Sequence, residues 1–290
     1  MNYKITRTLY IFIGSFFLAL FSSCNLINPS EEIPAYIRID KIEVYSSSAL
    51  HGSVSDKITD AWINIDGNLL GVYELPKTFP VLKTGKHTIM VRAGIKANGI
   101  SASRKWYPFY QAYTIDTTFV SGEVTTIKPR VTYRTETKVS FNENFDQIGM
   151  FFDTIFPSDV PFIKSNEDVF EGGFSGLIHL PDSKKAFRCK TSLPYELPKN
   201  QTPIYLEFDY KTNVEFYMGL IVNSNSGSTL YPYFFNVRPT ENWNKIYFEL
   251  TDMILQNYYG NSYNIYIGAD KADTTLEGKL FFDNIKLLHF

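Results

Sequence analysis

From Tyr36 onward the chain is written in short runs of β-branched and aromatic residues, each broken after a few positions by Gly, Pro, Asn or Asp. Runs of that length bury one face as strands, and no long helical period interrupts them, so the expected fold class is all-β. Ile63 and Ile65 alternate with Trp62 and Asn64 and lead into Asp66-Gly67, a pair suited to the positive-φ positions of a tight hairpin turn, with Leu70 and Val72 on the returning strand. Gly85 precedes a second strand over 87–91, and Asn98-Gly99 marks another turn. Farther on, Leu206, Phe208 and Tyr210 alternate with Glu207 and Asp209, and Ile246, Phe248 and Leu250 with Lys245, Tyr247 and Glu249. This alternation predicts one buried face per strand.

The N-terminus obeys a different logic. Lys4 and Arg7 precede an apolar stretch from Leu9 to Phe21, which runs into Ser22-Ser23-Cys24, the three-part layout of a secretory signal peptide. The stretch falls short of the roughly 20 apolar residues a spanning helix needs, so it is expected to be removed. Ser22-Ser23-Cys24 resembles a bacterial lipobox of the variety common in Bacteroidota, with Ser before the Cys. The resemblance implies that residues 1–23 are lost and that Cys24 becomes a lipidated N-terminus. Acyl chains contribute about 0.8 kcal/mol per buried CH2, so palmitate-type chains on Cys24 would hold the protein at the outer membrane, on the cell surface or the periplasmic face. Residues 24–33 are polar and read as a tether. Within it Glu31 and Glu32 resemble the signal that sends such lipoproteins to the cell surface, with a plain solvated linker as the alternative.

The chain carries 28 Lys and Arg against 30 Asp and Glu. Loss of Lys4 and Arg7 with the signal peptide leaves it more acidic, and nucleic acid, which demands a clustered cationic excess, is not an expected partner. The second cysteine, Cys189, has no partner for a disulfide once Cys24 is acylated. Stability must then come from burial, for which 24 Phe and 20 Tyr are available.

A polar break over 135–138 places a domain boundary, giving one β-domain over 34–134 and another over 135–290. In the first, Trp62 to Gly67, Leu70 to Pro76 and Leu82 to Val91 resemble the PEGA-type domain, a small β-sandwich; the resemblance implies a binding or spacer module. In the second, Phe141 to Asp146, Phe170 to Leu177, Asn242 to Phe248 and Phe281 to Leu287 resemble, in their order, the jelly-roll sandwich shared by carbohydrate-binding modules and galactose-binding-like domains.

Catalytic and metal chemistry find few footholds. His51, His87, His179 and His289 stand singly, without the companions that a zinc site needs. Gly172 to Gly176 lacks the spacing of a nucleophile elbow, no glycine run leads into Lys-Ser/Thr before a helix, and no acid lies in a recognisable hydrolase motif, so the chain is read as non-enzymatic. Asp283, in phase with Phe281, Ile285 and Leu287, is expected to point inward, and a buried carboxylate must be paired or metal-bound. The jelly-roll resemblance implies a structural Ca2+ held by Asp283, by Asp146 or Glu143, and by backbone oxygens near Gly172 to Ser175. Hard oxygen donors suit that ion. The alternative is an Asp283 that accepts turn amides without metal; no cofactor is certain.

Tyr258, Tyr259 and Tyr263, beside Asn257, Gly260, Asn261 and Asn264, and Tyr231-Pro232-Tyr233 lie in turn-like sequence, where aromatic rings suit sugar stacking or protein contacts. Trp106 to Tyr110, after Arg104-Lys105, forms a comparable cluster. The expected function is a binding or scaffold subunit of an envelope protein complex, with outer-membrane or surface proteins as partners; the alternative is a surface lipoprotein that binds polysaccharide through the jelly roll.

Overall fold

The computed structural model describes residues 31–46, 48–272 and 277–290. The signal peptide, Cys24 and most of the tether therefore lie outside the described residues. Strands β1 (Ala35–Ile39), β2 (Glu43–Val44), β3 (Asp60–Ile65), β4 (Asn68–Glu74) and β5 (Lys77–Val81) come first. They are followed by β6 (Gly85–Lys96), β7 (Arg104–Trp106), β8 (Tyr113–Phe119), β9 (Val124–Thr126) and β10 (Arg130–Val131). The chain falls into two compact units, one made of residues 31–38, 78–86 and 118–126, the other of 39–77, 87–117 and the described residues from 127 to 290.

The smaller unit is the sheet β5-β1-β9, with β1 and β9 parallel and Tyr36 opposite Val124. Ala35, Ile37, Phe79, Val81 and Phe119 are its buried side chains.

The larger unit begins with the sheet β4-β3-β6-β7, joined along β6 by β8. Its first hairpin turns where the sequence predicts: Asp66 and Gly67 have φ of 51° and 83°, the paired positive values of a tight turn. Asn98 and Gly99 also take positive φ.

From residue 138 the chain forms a jelly-roll-type sandwich, so the protein is all-β as expected. Its strands are β11 (Lys138–Glu143), β12 (Phe152–Thr154), β13 (Ile163–Ser165), β14 (Ser175–Leu180), β15 (Ala186–Thr191) and β16 (Ile204–Thr212). Then come β17 (Phe216–Ser224), β18 (Gly227–Val237), β19 (Thr240–Glu249), β20 (Ser262–Asp270) and β21 (Gly278–His289). One sheet runs β13-β14-β21-β16-β19, with β11 beside the far half of β21; the other runs β12-β15-β20-β17-β18. Between them rings interlock: Phe282 lies 5.7 Å from Phe208 in its own sheet and 5.1 Å from Phe216 in the facing sheet. Cys189 is sealed in this core, where burial pushes its thiol well above the ordinary range and removes its nucleophilic form.

Two expectations fail in the six-stranded sheet, for connected reasons. The inward set on β21 is Leu280, Phe282, Ile285 and Leu287, not Phe281, Asp283, Ile285 and Leu287. An extra residue is inserted in β21 where Glu207 pairs Lys286 but Asp209 pairs Asp283, and Asn284 there has φ of 49°. Such a bulge shifts the alternation by one position, so Phe281 and Asp283 turn to the other face. That other face is not solvent-exposed either. Glu207, Asp209, Lys245, Asp283 and Lys286 are all buried on it.

The cover is supplied by the chain before residue 135. Tyr107 and Tyr133 donate their hydroxyls to Glu207 at 2.7 and 2.6 Å. Lys286 Nζ lies 3.3 Å from Glu207 and donates to the Ser53 carbonyl at 2.6 Å, and Lys245 Nζ lies 3.7 Å from Glu207 and donates to Ser55 at 2.9 Å. Burial pushes the Glu207 carboxyl up, but the two ammoniums and two phenols outweigh it and hold it below its ordinary value. Burial also draws Lys286 down to about 8. The rings of Tyr205 and Tyr247 pack on Tyr107 at 5.5 and 5.0 Å, so the layer is polar at its centre and aromatic around it.

Removing one partner of a buried ionic network strands the rest without water, typically at 3 to 5 kcal/mol. Glu207→Ala is therefore expected to lower unfolding free energy by about 3 to 5 kcal/mol in a denaturant titration. A loss below about 1 kcal/mol would show that the ammoniums find other partners.

Candidate ligand-binding site

At one end of the five-stranded sheet a short helix (Thr251–Gln256) leads into the turn that carries the tyrosines. Asn257 is buried and donates its side-chain amide back to the Met253 carbonyl at 2.9 Å, closing the helix. Gly260 is required by space: a Cβ there would stand 2.5 Å from Val222 Cγ1 and 3.0 Å from the Tyr263 ring. Tyr263 itself is fully buried, within the sandwich core, and donates its hydroxyl to the Asn257 carbonyl at 2.8 Å. Its assignment as a contact residue is corrected accordingly. Tyr263 is in β20, whose alternation turns it inward, and its phenol braces the turn from beneath.

Tyr258 and Tyr259 are the rings left outside, 68% and 45% exposed. Tyr259 is anchored by a 2.6 Å hydroxyl–hydroxyl contact with Tyr231 on β18 and a 3.3 Å bond to the Asn257 side chain. The side chain of Tyr233 lies outside the described residues. Amides gather beside the rings: Asn261 donates its backbone N–H to the Asn223 carbonyl at 2.6 Å and its side chain to Asn225 at 2.6 Å. Asn223 is fixed in turn by Asn264 and Ser228, and Lys199 donates to the Gly260 carbonyl at 2.5 Å. Asn223, Asn225, Ser228 and Lys199 were not anticipated from sequence, although Asn223-Ser224-Asn225-Ser226-Gly227 is a legible hairpin turn. The result is an exposed aromatic surface bordered by amides whose positions are held by hydrogen bonds.

The carboxylates expected to share a calcium ion do not form one donor set. Glu143 accepts the backbone N–H groups of Phe145 and Phe151 at 2.8 and 2.6 Å. Asp146 accepts those of Gly173 and Phe174 at 2.9 and 3.1 Å, and Asp283 those of Glu171 and Asn284 at 3.1 and 2.8 Å. The Gly172 to Ser175 loop thus offers Asp146 N–H groups, which repel a cation, where carbonyls were expected. Among the described residues no group of three or more His, Cys, Asp or Glu side chains is placed to hold a metal ion. Each of the three acids is engaged by backbone amides.

Trp243 is half-buried. Its Nε1 donates to Asp168 at 2.7 Å, Lys211 reaches the same carboxylate at 2.6 Å, and its ring lies 5.6 Å from that of Phe170.

No protein-family model matches the chain, and no curated protein matches it. Among solved structures it is similar to a xylan-binding domain from family 22 of the carbohydrate-binding modules, at 15% identity and a TM-score of 0.37 over 52% of this chain and 94% of that one. It is similar to a family 11 module from Clostridium thermocellum, solved with a β-1,3-1,4-mixed-linked tetrasaccharide, at 17% identity and a TM-score of 0.37 over 52% and 94%. A promiscuous carbohydrate-binding module of the β-sandwich superfamily is matched over 79% of this chain and 84% of that one, at 13% identity and a TM-score of 0.35.

Asp283 yields a pH test. Burial raises its carboxyl from 3.8 to about 7, with the nearby carboxylates of Asp209 and Glu171 adding to the effect and the two amides opposing it. Between those values the folded chain binds a proton that the unfolded chain has released, so the stability Asp283 contributes is full below its unfolded pKa and is lost as pH rises through about 7. Asp283→Asn, which cannot ionise, should therefore gain stability relative to the parent as pH is raised from about 5 to about 8, as read from melting temperatures. Parallel pH profiles of the two would refute the assignment.

Proposed function

We propose that this chain is a non-catalytic glycan-binding lipoprotein, held at the outer membrane by lipid on Cys24, that captures polysaccharide at the tyrosine-bearing end of its jelly roll. The observation that carries the reading is the exposed pair Tyr258 and Tyr259, set on a turn braced by Tyr263 and bordered by the amides of Asn225 and Asn261. A sugar ring presents C–H groups on its faces and hydroxyls around its rim. Aromatic faces complement the former, and amides, which both donate and accept, complement the latter. Because the turn is already bonded in place, little order remains to be imposed on binding, and less affinity is lost to entropy. The anchor rests on the sequence of residues 1–24, and the PEGA-like reading of the first strands supplies a spacer between lipid and jelly roll.

Two measurements test this. In affinity electrophoresis through xylan or mixed-linked β-glucan, the double variant Tyr258→Ala/Tyr259→Ala should lose at least about 1 kcal/mol of affinity, roughly fivefold, with its melting temperature unchanged. A large drop in melting temperature would make the rings packing residues. Unchanged retention on polysaccharide with loss of a co-purifying envelope protein would favour the scaffold function instead. Separately, Cys24→Ser should move the protein out of the membrane fraction and abolish labelling by a palmitate analogue; continued labelling of the variant would refute the anchor.

A further inference from the structure

A second concave surface lies on the sheet that precedes the jelly roll. Arg92 on β6 stands two residues from Gly94, which pairs Trp106 on β7, so Arg92 and Trp106 occupy the same face of the sheet. Gly94 has no room for a side chain, since a Cβ would fall 2.8 Å from Asp60 Cβ and 3.0 Å from the Trp62 ring. The Arg92 guanidinium lies over the Trp106 ring at 5.6 Å, and Trp106 remains 43% exposed. Facing them, Arg134 is held by the Phe290 ring at 4.9 Å. Arg92, Trp106, Gln111, Arg134 and Glu136 line a cleft of about 400 Å³, a volume suited to a ligand of one or two sugar rings.

The cationic groups in this cleft are incompletely used. Each guanidinium has five N–H donors. Arg92 gives one to Asn64 at 3.3 Å, and Arg134 gives one to Glu136 at 3.2 Å. The Arg134–Glu136 pair is exposed on both sides, the kind of surface pair worth about 0 to 1 kcal/mol, so an arriving carboxylate can displace it at small loss. Two guanidiniums held by aromatic rings, with a partly open indole and an amide beside them, match an anion fused to an amphipathic ring. The chain as a whole carries net charge −2, so this concentration of cations is local and not a background property.

We infer that the cleft bounded by Arg92, Trp106 and Arg134 is a second binding site, for the carboxylate-bearing sugar of an acidic glycan. Such a residue places its carboxylate between the guanidiniums and its ring against Trp106. Planar forked donors recognise carboxylates in two-point fashion, which neutral sugars and esters cannot reproduce. The site lies on different strands from the tyrosine end and succeeds or fails independently of it.

The test titrates the full mature chain with oligogalacturonate and oligomannuronate, following tryptophan fluorescence and calorimetry, beside their methyl esters and oligoglutamate. Binding of at least one acidic oligosaccharide is expected, at least tenfold tighter than its ester, weakened by salt, and reduced at least tenfold in Arg92→Gln and in Arg134→Gln. Melting temperatures of the arginine variants should match the parent. Binding of neither oligouronate, equal binding of acid and ester, or unaffected binding in both arginine variants would overturn the inference. Tighter binding of oligoglutamate would assign the cleft to acidic peptides and overturn it equally.

Discussion

A carboxylate without access to water, Glu207, lies between two ammoniums and two phenols, and the usable surface of the protein follows from that arrangement. A bare sheet face carrying Glu207, Asp209, Lys245 and Lys286 would be an ordinary solvated surface. Once Tyr107, Tyr133, Ser53 and Ser55 close over it, each charge must be answered by a neighbour, because the alternative is an uncompensated ion in a poor dielectric. Paired in this way the network gives little net stability, but it tolerates few other arrangements and so fixes which residues meet. The centre of the six-stranded sheet is thereby closed to ligands. Tyr258 and Tyr259 project elsewhere, at the end of the sandwich, and Trp106 lies open on the earlier sheet.

The strands and their tight turns were legible because they depend on neighbours in sequence. Asp66-Gly67 and Asn98-Gly99 adopt the positive φ that these residue types favour, and the alternation of Leu206, Phe208 and Tyr210 survives intact in β16. What was not legible depends on partners distant in the chain. Glu207, Lys245 and Lys286 read as solvent-facing because nothing local reveals that Tyr107 and Tyr133 will cover them. Asp283 was assigned to the wrong face because an inserted residue at Asn284 leaves no mark in a pattern of apolar and polar positions.

The candidate site shows the same division. Tyr258 and Tyr259 were identifiable from glycine and asparagine around them, since turns put side chains at the surface. Tyr263, four positions beyond Tyr259, lies already in a strand and points inward. Glu143, Asp146 and Asp283 were grouped as calcium ligands through the jelly-roll resemblance; that each accepts different backbone amides is a matter of loop path that sequence does not carry.

The bulge at Asn284 has a consequence for comparing this chain with others. On its two sides β21 obeys opposite parities: Leu280 and Phe282 face the core before it, Ile285 and Leu287 after it. A relative lacking the extra residue would show an unbroken alternation along this strand. Matched to it by hydropathy alone, this chain slips by one place, setting Asp283 against a core residue and Phe282 against a charged one. Half the strand aligns falsely while its apolar content looks the same.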